Sequence, residues 1–139
     1  MKSETPNEFF ARKISEIQQR DPRSVVHGLL IKEVMVSNGI LAHLVTPPNS
    51  DTRAEIQLFG SAYYGNQIKS GRIIFQEEDI SDYRPAFDAA TGEVLFRARA
   101  SQIAAYIACL RPNKPMLLLY TESPSVDEVS ASILTNDQV

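Results

Sequence analysis

The stretch "LFGSAYYGNQIKSG", Leu58 to Gly71, gathers the residue types most able to do chemistry in this chain. Gly60 and Gly65 have the spacing of a phosphate-cradling loop. Asn66 and Gln67, however, stand where such a loop places its Lys and Ser/Thr, the groups that reach the phosphates and magnesium. No helix pattern follows to aim its N-terminus at an anion. A second chemistry fits better. Tyr63 and Tyr64 offer ring faces for bases, and Lys69 and Arg72 offer charge for phosphates, the combination that single-stranded nucleic acid requires. Arg97 and Arg99, two apart in "RARAS", share one side of a strand and extend this candidate strip.

Acid–base and metal chemistry find less material. His27 and His43 are the two histidines. Strand alternation sets them on opposite faces of one hairpin. Cys109 lies in an apolar helical stretch near its C-terminal end, whereas a reactive thiolate favours a helix N-terminus, so a buried inert thiol is expected. Glu77, Glu78, Asp79 and Asp82 lack the alternation and glycine of a calcium loop. The expectation is therefore no catalytic set, no metal site and no cofactor.

These residues must be placed by elements. "TPNE" puts Thr5 at an N-cap, Pro6 at the first helical position and Glu8 three residues after the cap. Phe10, Ile14 and Ile17 then form one apolar face, and a helix is expected over 6–20. "SVVHGLLIKEVMV" reads as a strand, with Asn38-Gly39 turning it into a hairpin that returns over "ILAHLVTP". Strict alternation puts Val26, Leu30, Val34 and Val36 on one face and Leu29, Ile31 and Met35 on the other. With both faces apolar, this strand belongs in the middle of the fold.

A Gly65-Asn66 turn would make 54–76 a second hairpin. Ile56, Leu58, Ile73 and Phe75 would gather on one face, and Gly60 would stand opposite Gly71, a place for a sharp bend, a bulge or a close backbone approach. Asp88 and Gly92 bracket a third turn. A second helix is expected over 101–111 with Ile103, Ile107 and Leu110 inward, and "PMLLLYTE" is a last buried strand. Residues 122–139 hold four acidic residues and no Lys or Arg, and read as an acidic tail, either a short helix or disordered.

The totals agree with one domain over 1–121. The chain has 139 residues, a net charge of −3, 43% hydrophobic and 22% charged residues. That length can bury a core without staples. Without the tail the body is nearly neutral, unlike a duplex-binding protein. No apolar run is long enough to span a bilayer, and one cysteine permits no internal disulfide. These point to a cytoplasmic protein with no membrane partner.

The expected fold is α+β: an N-terminal helix on a curved, mainly antiparallel sheet of about six strands, with a second helix before the last strand. The expected function is a small non-enzymatic protein that works through protein–protein contact as a homo-oligomer, because two helices leave sheet surface for a partner to cover. Two alternatives stand beside it. One is single-stranded nucleic-acid binding through the 58–76 hairpin. The other is a small-ligand site or enzyme pocket within the curved sheet.

Overall fold

The computed structural model describes residues 4–37, 54–65, 67–76, 83–110 and 114–135. Helix α1 spans Pro6–Arg20, with Thr5 as its N-cap: the Thr5 hydroxyl oxygen accepts from the Glu8 N–H at 3.1 Å. Seven strands follow: β1 (Val25–Ser37), β2 (Ala54–Tyr64), β3 (Ser70–Gln76), β4 (Ala86–Asp88), β5 (Glu93–Arg99), β6 (Met116–Ser123) and β7 (Glu128–Thr135). A 3-10 turn leads from β5 into helix α2 (Ile103–Cys109), and another joins β6 to β7. The strands form one sheet in the order β4-β5-β3-β2-β1-β6-β7. Every neighbouring pair is antiparallel except β3 and β5. The architecture is α+β as expected, with seven strands among the described residues where about six were expected.

The sheet curls into a nearly closed barrel. Phe87 on the edge strand β4 stacks on His27 of β1, with ring centroids 4.1 Å apart, although β5, β3 and β2 separate the two strands within the sheet. Phe87 also lies 5.9 Å from the ring of Tyr120 on β6. The inward residues pack the interior: Leu29 and Ile31 from β1, Ile56 and Leu58 from β2, Ile73 and Phe75 from β3, Val94, Phe96 and Ala98 from β5, Met116, Leu118 and Tyr120 from β6. Side chains from opposite walls meet there: a Cβ built on Gly71 of β3 would fall 2.3 Å from Leu118 Cδ2 of β6. Helix α2 packs Ile103 and Tyr106 against this core, with Tyr106 edge-on to Phe75.

Helix α1 lies on the outside. Phe10 and Ile14 bury against Val26, Leu117 and Leu119, and Tyr63, Leu30 and Leu134 pack against the same cluster. A sheet with apolar residues on both faces needs this second layer. β1 thus serves both sides, as its two apolar faces required.

Two bulges alter the faces that strict alternation predicts. Between Ile31↔Gly60 and Glu33↔Phe59, Lys32 is an extra residue on β1. One extra residue reverses the alternation beyond it. Val34 therefore packs into the interior cluster rather than sharing the outer face of Val26 and Leu30. The second bulge sits on β2, where Gly28↔Tyr64 is followed by Leu29↔Ala62 and Tyr63 is the extra residue.

The β2–β3 register also differs from the tight-turn reading. Leu58, not Gly60, stands opposite Gly71, and the pairing ends at Phe59↔Ser70. The slip is two residues, so each side chain keeps its expected face. Its cause lies in the connection. Ile68 turns inward and is 2% exposed, and the N–H groups of Lys69 and Ser70 bond to the Gly92 carbonyl.

Three further differences concern α2 and the C-terminal region. Tyr106, not Ile107, joins Ile103 on the inner side, and Ile107 is exposed. Cys109 is exposed rather than buried. Residues 128–135, read from the sequence as tail, form β7 and pair with β6 from Met116↔Thr135 to Ser123↔Glu128. The expected Asn38-Gly39 turn, its return strand with His43, and the acidic loop 77–82 lie outside the described residues.

Candidate functional site

The six residues expected to bind fall in two regions. Tyr63 and Tyr64 both face α1. The Tyr63 ring meets Phe10 edge-on at 5.8 Å and its hydroxyl donates to the Asn7 carbonyl. The Tyr64 hydroxyl accepts from Gln18 Nε2. Alternation alone would set adjacent tyrosines on opposite faces; the bulge at Tyr63 turns both toward the helix.

Arg72, Arg97 and Arg99 lie elsewhere, on the outer face of the parallel pair β3–β5. There Val94, Phe96 and Ala98 point inward, so the alternate residues point out. Arg72 forms an ion pair with Glu93 at 3.5 Å, and its Nε is buried with no hydrogen-bond partner among the described residues. Arg97 donates to Gln76 Oε1 at 2.7 Å, and its guanidinium sits 4.4 Å from the centre of the Tyr83 ring. Lys69 lies in the connection before β3, its side chain against Gly92.

A cleft of ≈ 770 Å³ runs between the C-terminal half of α1 and the outer face of β6–β7. A smaller one of ≈ 380 Å³ adjoins it and shares Ile17, Arg20, Thr121 and Ser130. Strand alternation builds the wall. Val129, Ala131 and Ile133 of β7 pack inward, leaving Glu128, Ser130, Ser132 and Leu134 to face out. Thr121 of β6 adds a buried hydroxyl. From the helix come Lys13, Glu16, Ile17 and Arg20. Lys13 lines the part that reaches Leu134, and Arg20 also lines the part that reaches Glu128. The cleft is thus an apolar strip at Ile17 and Leu134 amid hydroxyls and charges of both signs.

Asp21 anchors its far end. The carboxylate accepts from Ser125 Oγ at 2.8 Å, Ser125 N–H at 3.2 Å and Arg23 N–H at 3.0 Å. Burial acts to raise its pKa, but these hydrogen bonds outweigh burial and hold it below the ordinary carboxylate value. The helix end is thereby tied to the turn that leads into β7.

A third group closes one mouth of the barrel. His27, Phe87 and Tyr120 form a cluster of rings, and the Tyr120 hydroxyl donates to Glu122 Oε1 at 2.6 Å. Burial lowers the pKa of His27, with the Glu122 charge opposing it. Burial, then the bond to Glu122, raises that of Tyr120. His27 Nδ1 is buried and has no hydrogen-bond partner among the described residues. Gly65 lies directly over it: a Cβ there would stand 2.8 Å from Nδ1. A general base must reach the proton it abstracts. Here Nδ1 faces the chain's own backbone at Gly65, so this nitrogen is not placed to reach a substrate. Among the described residues, no three of His, Cys, Asp and Glu group together to hold a metal.

Sequence reasoning missed the cleft because its walls come from both ends of the chain. One signal was available: Val129, Ala131 and Ile133 alternate with Ser130 and Ser132, a strand pattern inside a segment read by its acidity. Comparison with known proteins finds no matching family model, no matching curated protein and no matching solved structure.

Proposed function

We propose that this protein is a non-enzymatic interaction module of the cytoplasm that works through protein–protein contact at the edge of β7. The reading rests on one observation. β7 is an eight-residue edge strand that pairs only with β6 among the described residues, and its outer side chains border the cleft beneath α1. An edge strand beside a helix-walled cleft is suited to strand addition. The partner's backbone supplies ladder hydrogen bonds, and its alternate side chains enter the cleft. The hydroxyls of Ser130 and Ser132 and the mixed charges of Lys13, Glu16 and Arg20 suit a peptide segment. The nearly neutral balance of the cleft does not favour a compact anion.

Selection from a random peptide library tests this, followed by chemical-shift mapping on labelled protein. Shifts and slowed amide exchange are expected over 128–135 and on α1 from Lys13 to Arg20. Shifts confined to Arg72, Arg97 and Arg99 would overturn it. They would favour the second reading, a single strand of nucleic acid along the outer face of β3–β5. That alternative draws support from three arginines on one face. Its stacking partners would be Phe59 and Tyr83, since Tyr63 and Tyr64 are engaged with α1.

A further inference from the structure

Resting on that reading, we infer that the segment added to β7 is β7 of a second copy, joined antiparallel about a two-fold axis through Ala131. Three features of the strand select this partner and register.

The first is the face pattern. Directly opposed residues of an antiparallel pair point to the same side. A symmetric pairing must therefore centre on a residue, because centring between two residues would set apolar side chains against polar ones. About Ala131, Val129 meets Ile133 of the second copy on the inner side, and Ser130 meets Ser132 on the outer side. The small Ala131 side chain meets its own copy at the axis. This register uses seven of the eight residues of β7.

The second is charge. Glu128 of the second copy falls opposite Leu134. The cleft at Leu134 also contains Lys13, which pairs with Glu16 at 3.9 Å across an exposed i,i+3 contact. The two-fold axis makes the contact twice: each Lys13 meets the Glu128 of the other copy. Centring on Ser132 instead would carry Glu128 past the end of β7.

The third is incomplete cover. Val129, Ala131 and Ile133 pack on the core yet stay only half-buried. A continuous sheet through two copies would cover their outer sides, and a self-complementary edge is the simplest route to a closed pair.

Size-exclusion chromatography with light scattering from 1 to 100 µM, as about a hundredfold span, tests the state. Cysteine cross-linking on a Cys109→Ser background tests the register. A dimer is expected. Ala131→Cys should form a disulfide-linked dimer on mild oxidation, because residues paired at the axis meet the geometry, and Ser132→Cys should not. Lys13→Glu and Glu128→Lys should each weaken the dimer about tenfold or more, and the double exchange should restore it. The charge exchange uses surface side chains, so it stays informative if Ala131→Cys fails to fold. A monomer throughout overturns the inference. If library peptides still shift β7, the interaction-module reading survives with another chain as partner. A dimer that links at Ser132, or ignores the charge exchange, also overturns the pairing about Ala131.

Discussion

Gly60 is the residue on which the path of β2 most depends. A Cβ built there would stand 1.8 Å from the Leu30 carbonyl oxygen, a backbone atom that cannot turn aside. It sits beside the bulge at Lys32, where β1 takes one residue more than β2. Gly28 on the same pair is different: its Cβ would meet Leu117 Cδ1 at 3.4 Å, an ordinary contact at the end of a side chain. Gly60→Ala should therefore cost about 1–3 kcal/mol or more, as overpacking does, and Gly28→Ala should fall within about 0.5 kcal/mol of wild type. Urea unfolding of the two variants checks this. Equal midpoints would mean the bulge relaxes to admit a methyl group. The close approach explains why glycine stands here, one of the roles, with a bend or a bulge, that the sequence suggested.

At the scale of elements, β7 carries the largest departure from the sequence reading. Leu117, Leu118, Leu119 and Tyr120 of β6 are all 5% exposed or less, and they are flanked by β1 on one side and β7 on the other. A chain ending at Asp127 loses the ladder from Met116↔Thr135 to Ser123↔Glu128 together with Val129, Ile133 and Leu134. Burying one large apolar side chain is worth about 1.5–3 kcal/mol, against a total stability of about 5–15 kcal/mol. Half-burial lowers each share, but the sum remains several kcal/mol. The truncated chain should show a much lowered thermal midpoint or no cooperative transition. An unchanged melt would restore the view of this segment as a tail.

For the whole molecule, the decisive event is the meeting of β4 with β1 and β6. Among the described residues, an ion pair from the segment ahead of β4 to the β6–β7 turn and a ring cluster join these parts. The Arg84–Asp127 ion pair, 3.2 Å long, has both side chains largely in solvent. Exposed pairs of this kind are worth about 0–1 kcal/mol, so Arg84→Ala should change stability little. The His27–Phe87–Tyr120 cluster is the stronger link, and it makes closure sensitive to pH. An unfolded histidine takes up its proton near about pH 6.5. Burial lowers the folded-state pKa of His27, so between the two values the unfolded chain binds more protons and folding weakens. The contribution of neutral His27 is complete above about pH 6.5 and is lost as pH falls through the folded-state pKa. Thermal midpoints from pH 7.5 to 5, as about the window of histidine titration, should fall more steeply for wild type than for His27→Phe. Parallel curves would show that the imidazole is not held neutral in the closed barrel.

How much was legible follows from the range of the interactions involved. Short-range signals were enough for α1, whose cap, proline and apolar spacing lie within a dozen residues, and for the turn at Asp88 to Gly92, where the Gly92 N–H bonds to the Asp88 carbonyl at 2.7 Å. Alternation also sorted Ile56, Leu58, Ile73 and Phe75 onto the core side, and that sorting survived a two-residue slip because the pleat repeats every two residues. The bulges at Lys32 and Tyr63 were not legible. Each arises where two strands distant in sequence pair, and each turns side chains to another face without a mark in the local pattern. The cleft was not legible either, since residues 13–20 and 119–134 become neighbours only when the sheet has formed. Composition and spacing by themselves determined an α+β chain with a two-sided apolar β1. Tertiary structure alone decided that the sheet curls until Phe87 reaches His27, that both tyrosines turn to α1, and that an acidic C-terminal stretch is an edge strand, because strand register and closure depend on contacts between residues far apart in the chain.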